Sequence, residues 1–234
     1  SAAARQRSSD ATAASVRGMP VVETFGTLAA RVRDLSPSDG LTRLVAVDGR
    51  AGSGKTSFAQ RLAGAVRSAG SAVAIVHTDD LSSHTDFYGW VPALVSDVLE
   101  PLRAGRTGVH SVYNWVARRA DTRAEVPPVD VLVLDGVGAG RRELTGYLAY
   151  TIWMETSPRA AFARGLRRDI AEHGEGMRHQ LVAFWNEWVG AEATFLREQR
   201  PWERADLMVD GDSSLPHDPE REYVRLRCGQ RRPR

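Results

Sequence analysis

The sequence is short of two residue types that bear directly on its chemistry, cysteine and lysine. Cys228 is the only cysteine in 234 residues, which excludes an internal disulfide framework and agrees with a reducing compartment. Lys55 is the only lysine, although lysine and arginine together number 31. No apolar run approaches the ~20 residues that span a bilayer, and the first residues lack the apolar core of a secretory signal. A soluble, cytoplasmic protein is therefore expected. The six histidines show no metal-ligand spacing, and no H-E-x-x-H, C-x-x-C or G-x-S-x-G occurs. That removes the signatures of zinc hydrolases, dithiol redox proteins and serine hydrolases. The formal net charge is only +2, so the sequence pI of about 9.0 does not imply a surface made for nucleic acid. No solenoid repeat is present.

What is present begins with residues 44–57, LVAVDGRAGSGKTS, which read as a buried strand, a glycine-rich turn and the start of a helix. They fit G-x-x-x-x-G-K followed by Ser or Thr at Gly49, Gly54, Lys55 and Thr56. Gly49, Gly52 and Gly54 admit backbone conformations closed to residues with a Cβ, so successive N–H groups can turn inward and ring a phosphate oxygen. The helix that follows aims its positive end at the same point. Lys55 supplies a mobile charge for the β- and γ-phosphates, and the Thr56 hydroxyl is a hard oxygen suited to Mg²⁺. Ammonium and guanidinium are not interchangeable, and the one lysine falls where this chemistry needs one. The nucleotide-binding candidates are Gly49, Ala51, Gly52, Ser53, Gly54, Lys55, Thr56 and Ser57, with ATP and Mg²⁺ as cofactors.

Along the chain, residues 1–18 are rich in Ala, Ser and Arg without apolar period, and are expected to be a disordered segment that begins with residues left from expression. From Pro20, Val21, Val22, Phe25, Leu28, Ala29, Val32 and Leu35 recur at helical spacing and predict an amphipathic helix. Phe58, Leu62, Ala65 and Val66 mark the buried face of the helix after the glycine turn. Further buried strands are expected at 72–76, 129–134, 151–155 and 205–209, making five in a mostly parallel sheet. The second ends at His77, Thr78, Asp79 and Asp80, two acids at a strand's carboxyl end, where open parallel sheets place their ligands; a helix cap or turn is the plainer reading. Residues 91–102 predict a helix. Residues 109–119, VHSVYNWVARR, read either as an edge strand with a solvated face or as a pocket wall of aromatics and arginines. The strand at 129–134 runs into Asp135, an acid placed to reach Mg²⁺. Ser157 and Pro158 cap and open a helix carrying Arg159, Arg164, Arg167 and Arg168, which is a solvated cationic face or a lid closing over a polyphosphate. Phe184, Trp185, Trp188 and Phe195 in the next helix read mostly as core, and the Arg-rich residues after 221 as a solvated tail.

This order of motifs resembles the uridine kinase-like branch of small P-loop kinases, and within it a group of actinobacterial proteins. The likeness spans residues 43–211 and rests on VDGRAGSGKTS, IVHTDD, YNWVARR, VLVLDGVGAG, RGLRRDIAEHGEG and ERADLMVDG. It implies a three-layer α/β P-loop domain over 19–212 with a helical lid at 159–178 and a tail at 213–234. It also implies an ATP-dependent kinase acting on the hydroxyl of a nucleoside-like acceptor. Under that resemblance Asp79 is the base that takes the hydroxyl proton and Asp135 lies near Mg²⁺ with Thr56. Tyr113 and Trp115 line the acceptor pocket beside Asp79 and Asp80, and Arg164 and Arg168 are lid arginines serving the nucleotide and the transfer. The chain departs from the family where a histidine near the base is replaced by Arg118, and where two basic lid positions are His173 and Glu175. A guanidinium beside Tyr113 and Trp115 is costly to bury unless an internal carboxylate or an acceptor-rich substrate pairs with it. The alternatives are a P-loop kinase for another hydroxylated or phosphorylated metabolite, and an NTP-binding regulator or weak NTPase with no acceptor. The expected partners are a nucleotide and a small hydroxyl compound, without nucleic acid or membrane; a homo-oligomer is compatible with the chain.

Overall fold

The computed structural model describes residues 20–226. The expected disordered segment at 1–18, the last residues of the tail and Cys228 lie outside them. The chain opens with strand β1 (Val21–Thr24) and helix α1 (Phe25–Arg33). It continues through β2 (Arg43–Gly49), α2 (Lys55–Ser68), β3 (Val73–His77) and the single turn α3 (Thr78–Leu81). A continuous helical run α4 over 91–103, with a π segment at Val95–Leu99, leads to β4 (Gly108–Asn114), β5 (Arg119–Val126) and β6 (Val131–Asp135). Then come β7 (Leu148–Glu155), the long helices α5 (Pro158–His173) and α6 (Arg178–Gln199), β8 (Leu207–Asp210) and β9 (Glu222–Leu226).

The main sheet has seven strands in the order β1-β9-β8-β7-β2-β6-β3. The five expected strands form its parallel part, with β2 paired to both β6 and β7, β3 to β6 and β8 to β7. Two antiparallel strands extend it, β9 on β8 and β1 on β9. Both correct the sequence reading. Val21 and Val22 belong to a strand and not to the first turn of a helix, and Thr24 caps α1 by accepting the Thr27 N–H at 3.1 Å. The residues after 221 are not wholly a solvated tail, because Tyr223 and Val224 are buried in β9.

Helices cover both faces, as two-sided burial of parallel strands demands. On one face Phe25, Leu28 and Val32 of α1 and Phe58, Leu62 and Val66 of α2 pack on Val45, Val47, Val133 and Ile152. On the other, Leu94, Val98 and Leu102 of α4 pack on Leu44, Ala46, Leu132 and Leu134. Each central strand thus sends alternate side chains to opposite cores. A third cluster joins Trp188, Phe195 and Leu196 of α6 to Trp153 of β7. The stretch read as edge strand or pocket wall is β4, paired with β5 in a separate two-stranded hairpin. Among the described residues no helix is long and apolar enough to cross a membrane.

Candidate active site

The glycine loop joins β2 to α2. Gly52 and Gly54 take φ of +80° and +93°, which a side chain would strain, and the Ser53 N–H donates to the Arg50 carbonyl at 3.0 Å. Gly54 is also the N-cap of α2 and offers no side chain, so the first amides of the helix have no capping partner. Lys55 opens that helix, is buried, and its Nζ donates to the Arg50 carbonyl at 2.8 Å. Thr56 and Ser57 are exposed on the first turn. The Ser53 hydroxyl is buried with no hydrogen-bond partner among the described residues. The loop lies against α5: a Cβ at Gly52 would stand 2.1 Å from the Ala161 carbonyl oxygen.

Two buried acids that sequence reasoning missed fix this loop. Asp48, one residue before Gly49, accepts N–H bonds from Gly49 at 2.7 Å and from Gly138 and Gly140 at 2.9 Å. It ties the glycine loop to the turn after β6. Complete burial pushes its carboxyl up to about 6, against the three N–H groups and the charge of Lys55. Glu192 of α6 accepts the Ala51 N–H at 2.6 Å and stands 3.7 Å from the Arg50 guanidinium. Burial raises its pKa as well, opposed by the Ala51 bond and by Lys55. Of the expected nucleotide-binding amides, that of Ala51 is therefore taken by a protein carboxylate. The one sequence signal for Glu192 is its spacing, since Trp185, Trp188, Glu192 and Phe195 lie on one helical face.

Beside the loop, at the ends of β3 and β6, stand the expected acids. His77 and Asp135 are register partners, and His77 Nδ1 bonds Asp135 Oδ2 at 2.8 Å. That bond raises the His77 pKa against its burial, with Asp135, Asp80 and Asp79 adding charge. The second oxygen of Asp135 is buried and unpartnered among the described residues. A buried, unpaired carboxylate oxygen beside a loop that presents the Thr56 hydroxyl suits a hard cation. No cluster of three or more His, Cys, Asp or Glu that could hold a metal occurs among the described residues. Mg²⁺ fits such a sparse donor set, because it keeps several waters and is shared with phosphate.

Asp79, on α3, is exposed, yet the protein around its carboxyl desolvates it and raises its pKa. Lys55 pulls it down, Asp135 raises it further, and His77 and Arg168 lower it. Asp80 is half-buried and also raised by burial. Trp115, at the hairpin tip, donates its indole N–H to the Asp79 carbonyl at 3.1 Å, and the Tyr113 hydroxyl meets His84 Nδ1 at 3.2 Å. Trp115 also lies among His84, Phe87, Phe184 and Trp188, with ring centroids 4.8 to 6.3 Å away. Trp115 is thus part of an aromatic cluster to which α6 contributes Phe184 and Trp188.

Three of the expected arginines are exposed or paired within the protein. Arg118 is exposed, in the turn after the hairpin tip with φ of +54°, so the cost of burying it does not arise. Its charge acts on His84, whose pKa is lowered first by burial and then by Arg118. Arg164 donates to the Gly211 carbonyl at 2.8 Å and pairs with Asp212 at 3.1 Å. Arg168 pairs with its neighbour Asp169 at 2.8 Å, while Asp169 also accepts the Trp185 indole N–H at 2.7 Å. Glu175 pairs with Arg178, and His173 ends α5.

The sheet order and the glycine loop define the class: an α/β protein with the fold of P-loop kinases. A protein described as a possible uridine kinase from Bacillus stearothermophilus is 18% identical, with a TM-score of 0.57 over 79% of this chain and 96% of its own. A protein described as a candidate fructose transport system kinase from Silicibacter sp. TM1040 is 20% identical, with a TM-score of 0.61 over 76% of this chain and 95% of its own. No family model and no curated protein matches the sequence. At this identity the likeness is one of fold, and at that level it bears out the resemblance drawn from the motifs.

Proposed function

We propose that the chain is a kinase that transfers the γ-phosphoryl group of ATP to a hydroxyl of a small, nucleoside-like molecule. The observation that carries the reading is that Asp79, just past the end of β3, feels the charges of both Lys55, after the glycine loop of β2, and Asp135, at the end of β6. A carboxyl with a raised pKa is a better general base than an ordinary one, because the best base is matched to the working pH. In the reaction the acceptor oxygen forms a bond to the γ-phosphorus, and the bond from that phosphorus to the bridging oxygen breaks. ADP leaves, and the hydroxyl proton passes to Asp79. Lys55 and the first amides of α2 hold the phosphates, and Asp135 with Thr56 would hold Mg²⁺, which supplies charge neutralisation when bound. Tyr113, Trp115 and the rings of α6 offer flat apolar faces to the acceptor and keep water away from the transfer.

The experiment is a screen of nucleosides and sugars with ATP and Mg²⁺, reading ATP loss and product mass together. A product heavier than its acceptor by one phosphoryl group supports the proposal. ATP loss that no compound raises above the protein-alone rate contradicts it and favours a weak NTPase or regulator.

A further inference from the structure

One concavity is lined by none of the acids Asp48, Asp79, Asp80, Asp135 and Glu192. Its volume is about 380 Å³, and it is lined by Arg50 and by the end of α6 and the turn that follows, through Leu196, Arg197, Arg200, Trp202 and Glu203. None of Asp79, Tyr113, Trp115 and Asp135 reaches it. The size suits a small metabolite. Its charge is one-sided, with three guanidiniums facing one carboxylate, and that carboxylate is already paired, Glu203 to Arg200 at 3.3 Å.

The other two cations have donors to spare. Arg50 has its nearest acid, Glu192, at 3.7 Å, beyond a good hydrogen bond. Arg197 meets only the neutral Thr194 hydroxyl, at 3.2 Å, and makes no ion pair among the described residues. Guanidiniums with free N–H forks are built for carboxylate or phosphate. The apolar wall is Leu196 with the half-buried Trp202, whose ring is braced edge-on by Trp153 at 5.4 Å. An indole held in place is a stacking surface for another ring.

We infer that this cavity binds a small aromatic anion, its carboxylate or phosphate held by Arg50 and Arg197 and its ring laid against Trp202. The site shares one residue with the glycine loop, since the Arg50 side chain lines the cavity while its carbonyl holds Lys55 at 2.8 Å. It does not depend on the proposed kinase activity.

The test is calorimetric titration of the full chain with AMP, UMP, pyridoxal 5′-phosphate and salicylate, each in the presence of saturating Mg²⁺ and a non-hydrolysable ATP analogue. At least one probe is expected to bind more tightly than about 1 mM. Lys55→Ala should keep that binding, which separates the cavity from the loop. Arg197→Glu, at an exposed position, should weaken it at least about tenfold and Arg197→Gln by less, while Arg33→Glu on α1, the same charge change elsewhere, should leave it unaltered. The inference is overturned if none of the four probes binds, if Arg197→Glu binds as the wild type does, or if Lys55→Ala abolishes the binding.

Discussion

Both carboxyl oxygens of Asp48 accept backbone N–H groups, Oδ1 those of Gly49 and Gly138 and Oδ2 that of Gly140. In Asp48→Asn the amide nitrogen would face a donor, so the variant should lose about 1–3 kcal/mol, the cost of a buried polar group left unpaired. The carboxyl also titrates at about 6 in the fold, above the ordinary value near 3.9. The folded chain therefore holds a proton there that the unfolded chain has released. The stability this brings is complete below about pH 4 and is lost as the pH rises through about 6. The penalty of Asp48→Asn, measured by denaturant titration, should accordingly be larger near pH 4 than near pH 7; a pH-independent penalty would contradict the raised titration. Lys55→Ala should leave the fold intact and lower phosphoryl transfer far more than about tenfold, whereas activity within that factor, worth only ~1.4 kcal/mol, would remove Lys55 from the mechanism. Lys55 was legible because motif spacing and its singular place both mark it. Asp48 and Glu192 were not, because a buried acid declares itself only through partners, and Glu192 meets Ala51 from 141 positions away.

At the scale of elements, α5 and α6 meet through a glycine. A Cβ at Gly165 would stand 2.0 Å from the Trp185 ring, which is also held by its indole bond to Asp169. Gly165→Ala must move the ring, and overpacking of this kind costs about 1–3 kcal/mol. Thermal melting should show the loss, and an unshifted melting temperature would mean that the two helices already slide freely. The start of α5 was readable from Ser157 and Pro158, since the Ser157 hydroxyl accepts the Ala160 N–H at 3.3 Å; its end falls at Gly174, with φ of +92°. The boundary between β1 and α1 was not. Val21, Val22 and Phe25 fit a helical stripe, and only pairing with β9, some 200 residues away, makes the first of them a strand. β9 itself was hidden because it is short and two of its five residues, Glu222 and Arg225, are charged.

For the whole molecule, the parallel part of the sheet was legible because strands covered on both faces are written as continuous apolar runs. The sheet order that brings β2, β6 and β3 side by side is a property of crossover topology that these apolar runs do not encode. That order places Lys55, Asp79 and Asp135 together, and the central claim is that this grouping performs phosphoryl transfer. The most direct measurement uses ATP labelled with ¹⁸O on the γ-phosphate, the acceptor found by screening, and the wild type beside Asp79→Asn. Label is expected in the phosphorylated acceptor with the wild type, and a rate about 10²- to 10⁴-fold lower in Asp79→Asn with ATP binding kept. Label found only in free phosphate, or an Asp79→Asn variant as fast as the wild type, would contradict it.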